Sequence, residues 1–165
     1  MCRVGEPAPG HMIIEESKGI LAYRGMDNYR GNSLQGQWAG PWQKTVRRAR
    51  CKGTNTNAVR HIKGGHGNCG INGTFKPEKT MDYPTAYLVL TKMYGNVYVG
   101  DKGVRAEYGE LIGIFDGVYS GNLTGIAERY GIPILDRNSA VDLTPFIPEV
   151  KPRFPHPKFK KAKGS

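Results

Sequence analysis

The chain of 165 residues carries 24 Lys and Arg against 14 Asp and Glu, a formal net charge of +10, with 38% hydrophobic residues, 23 glycines, 11 prolines and three cysteines. That length suits one domain with a real core, and the longest apolar run, Ala86 to Leu90, is far short of the roughly 18–20 residues of a membrane helix. An odd cysteine count without framework spacing excludes a disulfide scaffold, and Met1 to Met12 holds no secretory apolar region, so an intracellular, reducing setting is expected.

Residues 1–11 contain Gly-Glu-Pro-Ala-Pro-Gly, which cannot hold regular structure, and read as a flexible arm. A single globular domain is expected over residues 12–150. Met12 to Tyr23 holds two apolar patches, Met12-Ile13-Ile14 and Ile20-Leu21-Ala22-Tyr23, parted by Lys18-Gly19, which predicts a hairpin rather than a helix. Asn28 to Gly40 is polar and Gly/Asn-rich, hence loop; Trp42 to Cys51 predicts a strand. Lys52 to Gly73 is a Gly/Asn/Thr-rich loop, long enough to require something that pins it or that it binds.

The clearest pattern runs from Thr85 to Phe115. Val89, Thr91, Met93, Gly95, Val97 and Val99 fall on one face, and Leu88, Leu90, Lys92, Tyr94, Asn96 and Tyr98 on the other. The turn Gly100-Asp101-Lys102-Gly103 and a second β-rich stretch from Val104 complete a hairpin. Asn122 to Tyr130 predicts a short helix with Asn122 as N-cap, Gly131 at C′ and Pro133 as the stop. Beyond Ile134 proline recurs, and residues 151–165 read as a basic, Pro/Lys-rich disordered tail. The expected fold is α+β and β-dominated: an antiparallel sheet or partly open barrel with one or two short helices and long Gly-rich loops. Its core should hold Val89, Met93, Val97, Val99, Leu111, Ile114, Ile126 and Ile132.

Charge is segregated along the chain. Asn28 to Pro77 contains no acid but nine bases, including Lys44, Arg47, Arg48, Arg50, Lys52, Arg60 and Lys63; the tail adds six more, among them Lys158, Lys160 and Lys161, again without an acid. The remainder is net negative. Such a field attracts a polyanion. Arg and Lys neutralise phosphates and release counterions, while Trp38 and Trp42, beside the run Lys44-Thr45-Val46-Arg47-Arg48-Ala49-Arg50, offer rings for stacking on unpaired bases. The plainer alternative puts both tryptophans in the core and the arginines on a solvated face. No amphipathic helix or lipidation motif supports a membrane partner.

A second constellation is Cys51-x9-His61-x4-His66-x2-Cys69, four thiol and imidazole donors within nineteen residues. Thiolate and imidazole suit tetrahedral zinc, and a structural ion would explain how so long a loop is held. The spacing matches no standard finger, and the alternative is two loop histidines and two free cysteines. Among carboxylates, Arg105 and Glu107 share a strand face, which predicts an ion pair; the catalytic alternative makes Glu107 a general base or metal ligand with Arg105 steadying a phosphate. Gly64-Gly65-His66-Gly67 lacks the Lys-Ser/Thr of a phosphate loop, and no residue set names a reaction.

The ordered run Cys51, His66, Cys69-Gly70-Ile71, Tyr94-Gly95-Asn96-Val97, Gly103-Val104-Arg105-Ala106-Glu107 and Arg129-Tyr130-Gly131-Ile132-Pro133 resembles a family of small uncharacterised proteins of bacteria and their phages. Members often carry a second Cys where this chain has Gly67. The resemblance spans Trp42 to Ile134 and implies one folded domain of phage or mobile-element origin, cytoplasmic in the host; it brings no activity with it. The leading expectation is a non-enzymatic nucleic-acid-binding accessory protein, for DNA or RNA. The alternatives are a metal-dependent nuclease or phosphoester hydrolase, and a virion component or host-factor inhibitor that docks on an acidic protein surface.

Overall fold

The computed structural model describes residues 11–36, 41–49, 70–77, 87–117, 121–147 and 157–163. Its elements are β1 (Met12–Asn28), β2 (Leu34–Gln35), β3 (Val46–Arg48), β4 (Ile71–Thr74), β5 (Tyr87–Val99), β6 (Gly103–Phe115), α1 (Leu123–Tyr130) and β7 (Ile134–Leu135), with two 3-10 turns at Arg137–Ser139 and Thr144–Phe146. The fold is α+β, dominated by an antiparallel sheet in which the short β6–β7 contact is parallel.

The hairpin β5–β6 is the centre, as its alternating pattern predicts. Gly100 N–H donates to Gly103 O at 2.9 Å across the turn, and pairing runs from Val99↔Val104 to Val89↔Ile114. Every residue expected in the core is buried. The register slips between Tyr94 and Val97, where Gly95 and Asn96 face the single residue Glu107. Gly95 sits at φ +82°, which glycine adopts without the steric cost a Cβ brings.

β1 is one long strand, not the expected hairpin. It pairs with β5 from Met12↔Val99 to Met26↔Tyr87, with irregularities between Ile14 and Ile20. The Lys18-Gly19 break is absorbed there: Glu16 lies at φ +52°, and a Cβ on Gly19 would strike the Lys92 stem at 2.8 Å. Both apolar patches find partners along the same β5 edge, so a continuous ladder outweighs a local turn.

β4 pairs with β6 from Ile71↔Ala106 to Thr74↔Gly103, and with β1 through Tyr23↔Thr74. Four strands therefore pair in a closed cycle, β1–β5–β6–β4–β1. Small residues make the seam possible. A Cβ on Gly73 would lie 2.7 Å from Ala22 Cβ and Met93 Cε, and one on Gly103 would land on the Gly73 carbonyl oxygen. The edge of β6 away from β5 is taken in series by β4, β3 and β7.

Helix α1 buries Leu123, Ile126, Ala127 and Tyr130. It ends as expected, with Gly131 at φ +64° and Ile132 N–H reaching back to Ala127 O at 3.0 Å. Its start differs. Asn122 makes no side-chain cap; its amide instead donates to Gly31 O at 3.4 Å and to Asn32 Oδ1. Part of the segment expected as a disordered tail is described, at residues 157–163. Within residues 157–163, Asp136 N–H donates to Lys160 O and Ala162 N–H to Ile134 O, and the Phe159 ring packs edge-on to Phe115 at 5.9 Å. An apolar ring and two backbone bonds suffice to hold this part of a Lys-rich segment, whose ammonium groups stay in water.

The seam gives the first prediction. Gly103→Ala should lower stability by about 1–3 kcal/mol, because overpacking at a closed strand pair cannot relax cheaply. Gly100→Ala, whose Cβ would meet nothing nearer than 3.5 Å, should be nearly neutral. Urea denaturation measures both, and equal midpoints would remove β4 from its place beside the turn.

Candidate nucleic-acid interface

The register of three strands sets side chains from distant parts of the chain beside one another. Tyr94 is opposite Tyr108, Lys92 opposite Glu110, and β3 brings Arg48 opposite Tyr108. The two tyrosine rings stack with centroids 5.1 Å apart at 13°. Arg48 Cζ lies 5.5 Å from the Tyr108 centroid, on the strand side away from Tyr94, and Lys92 Nζ lies 5.4 Å from the Tyr94 centroid. The result is a row of cation, ring, ring, cation. Tyr108 has a neighbour on each side, so the row presents phenol hydroxyls and cation tips rather than a free aromatic face. Burial, then the Glu110 carboxylate, holds the Tyr94 phenol above its ordinary pKa, outweighing Lys92; Tyr94 is thus a neutral donor near pH 7.

Glu107, 7% exposed, sits opposite the bulge. Its Oε1 accepts from Asn96 N–H at 3.3 Å and Asn96 Nδ2 at 3.0 Å, and its Oε2 accepts from Arg48 Nη2 at 3.1 Å. The expected Arg105–Glu107 pair is replaced, because the bulge turns Glu107 toward Asn96 and β3. Arg105 lies over its cross-strand neighbour Tyr98 instead, 4.9 Å from the ring centroid. Tyr98 Oη is hydrogen-bonded to His11 Nδ1 at 2.8 Å, and His11 Nε2 is 3.7 Å from Asp101 Oδ2. These groups, with Asn72 and Lys102, line a cavity of about 410 Å³ beside the hairpin turn.

The residues expected to bind nucleic acid divide in three. Lys44 is exposed, Arg47 is half-buried with Nη1 donating to Pro41 O at 3.3 Å, and Arg48 is exposed but paired. Lys158, Lys160 and Lys161 are exposed on the docked end of the chain. Trp42 is 1% exposed, a core residue whose carbonyl accepts from Tyr130 Oη at 2.6 Å, so its ring is not offered for stacking. Trp38, Arg50, Lys52, Arg60 and Lys63 lie outside the described residues. So do Cys51, His61, His66 and Cys69, and with them the candidate zinc site; among the described residues no three His, Cys, Asp or Glu side chains cluster as a metal site.

The sequence weighs Arg105 as a phosphate contact in the catalytic alternative, but it does not single out Tyr94, Tyr98 or Tyr108. Their signal is the polar face of β5, which holds Lys92, Tyr94, Asn96 and Tyr98, but which residues meet across the hairpin depends on a bulge that the pattern does not announce. Likewise the acid-free window is a property of the chain: Arg48 finds its carboxylate 59 residues away.

Among the described residues no helix is long and apolar enough to cross a membrane. Comparison with models of known families, with curated proteins and with solved structures finds no match for this chain.

A double-mutant cycle of Arg48→Gln and Glu107→Gln should give a coupling of about 0.5–2 kcal/mol, above the usual value for exposed pairs because the Glu107 end is sealed. Additive losses in urea melts would mean that the pair does not tie β3 to the bulge.

Proposed function

We propose that the protein is a non-enzymatic nucleic-acid-binding accessory protein of phage or mobile-element origin, holding the phosphate backbone of DNA or RNA by a cationic edge. The observation that carries this reading is the convergence of the two acid-free segments. β3, with Lys44 just before it and Arg47 and Arg48 within it, pairs to β6 at Tyr108–Glu110. Further along the same edge β7 pairs at Ile114–Phe115, and the end of the chain bridges to it through Leu135↔Lys161. Cations far apart in sequence are thus carried by segments attached along one edge of the sheet, an arrangement that suits phosphate tracking. Two of the acids nearby are engaged locally, Asp116 accepting from Arg137 N–H and Asp136 from Asn138 N–H, each at 2.9 Å, while Glu128 is exposed in the cavity lined by Lys161 and Lys163.

The origin rests on the ordered motifs alone. The hydrolase alternative is weakened at its proposed base, since both Glu107 oxygens already accept hydrogen bonds and neither is presented to a substrate. An acidic protein would suit the same edge and becomes an outcome of the test.

The test is fluorescence anisotropy with labelled single-stranded DNA, duplex DNA and RNA at several salt concentrations. Replacing the exposed Lys44, Lys160 and Lys161 by Ala should weaken binding and shrink the log–log salt slope by about one unit for each phosphate no longer neutralised. An unchanged slope would take this edge out of the interface. Absence of binding at low salt would overturn the reading and direct the search to an acidic protein partner.

A further inference from the structure

Arg24 follows Tyr23 on β1, at the rung that joins β1 to β4. There the guanidinium continues what the backbone pairing leaves off, with Nη1 donating to the Asn72 carbonyl at the solvent side. Arg24 Cζ stands 5.9 Å from the Trp42 ring centroid, and a Cβ on Gly36 would lie 2.6 Å from Nη2. Two sealed donors in this corner, Arg24 Nε and Trp42 Nε1, have no hydrogen-bond partner among the described residues. No described carboxylate pairs with Arg24. The charged group acting on it is the Arg47 guanidinium, of the same sign; burial first, then Arg47, pulls Arg24 down to about 10. It therefore stays charged at neutral pH.

The absence of a counter-charge among the described residues has a cause in the sequence. Gly36, Pro41, Trp42, Arg47 and Asn72, which build the corner around Arg24, all come from the acid-free window. A partly desolvated cation beside a second cation is costly, and folded proteins normally pair such groups. A role limited to bonding one carbonyl would be met by a neutral amide. What the guanidinium adds is a fixed positive charge with N–H donors beyond the one given to Asn72, which suits a phosphate oxygen.

We propose that Arg24 and Arg47, beside the Trp42 ring, form a binding site for one phosphate group. The inference rests on the preceding reading where that phosphate belongs to a nucleic-acid backbone; a free phosphate offers the same chemistry, and the arms of the test separate the two.

The full-length protein is melted with inorganic phosphate or pyrophosphate against chloride at matched ionic strength, and titrated with the labelled oligonucleotide that binds best. The wild type should show a saturable rise in melting temperature with phosphate beyond that with chloride. Arg24→Gln, which keeps a donor for Asn72, and Arg47→Gln should each lose most of that rise. Each should also bind the oligonucleotide about tenfold more weakly, with the salt slope reduced by about one. A phosphate effect that is lost in the variants, with no oligonucleotide binding by any form, supports the site and overturns the nucleic-acid reading. Oligonucleotide binding with unchanged slope in the variants, and no phosphate-specific rise in the wild type, overturns the site and leaves that reading standing. Should Arg24→Gln fail to fold, Arg47→Gln and the wild-type phosphate titration decide alone.

Discussion

The Glu107 carboxylate is the hinge on which the architecture turns. Two residues of β5 face one of β6, and such a bulge costs ladder hydrogen bonds unless something fills it. Glu107 does so by accepting from both the backbone and the side chain of Asn96. Its second oxygen takes Arg48, which fixes β3 on the far edge. Hydrogen bonds to a charged group are worth about 1.5–3 kcal/mol each, more than neutral ones. One side chain thus stabilises the kink, sharpens the local twist of the hairpin, and sets the place where β3 attaches. Bulges of this kind raise local twist, which favours the curling that a closed cycle of strands needs; further register shifts lie at Leu90/Thr91 of β5 and between Ile14 and Ile20 of β1.

The closed cycle then dictates where charge accumulates. β5 occupies one whole edge of β6 and is itself covered by β1, so β4, β3 and β7 share the remaining edge of β6. The segments that do so are short: β4, β3 and β7 have four, three and two residues. β3 and β4 come from the acid-free window, and the docked end of the chain follows β7. The cationic edge is in this sense a by-product of strand pairing. Its charges are not neutralised by their sequence neighbours, because those neighbours carry no acids.

Periodicity made the hairpin, its buried face and the end of α1 legible, because alternation of Val, Met and Leu against Lys, Tyr and Asn reports on burial directly, and a glycine after a helix reports on its cap. The failures have one cause. Lys18-Gly19 resembles a turn until a thirteen-residue β5 edge is available to both flanking patches. Phe159 resembles part of a solvated tail until Phe115 presents a ring. Trp42 next to a basic run resembles a stacking platform until Tyr130 and Gly109 enclose it. In each case a long-range partner overrides the local signal, and no local signal names the partner.

The ion pairs on the sheet face bear on where binding energy would come from. Arg48 with Glu107 and Lys92 with Glu110 are already matched, so an anion reaching them must compete with carboxylates 3.1 and 2.9 Å away. Lys44 and the terminal lysines are exposed, and each would yield mainly the entropy of released counterions. Arg24 is of a third kind. Part of its dehydration is already met on folding, beside the like charge of Arg47. A phosphate placed there would gain attraction in a less screened setting with less further desolvation of the cation than at an exposed lysine. The same dehydration and repulsion that make this corner costly to the fold would make it selective for an anion. Binding and stability would be linked through one guanidinium, since a ligand that prefers the folded state stabilises it.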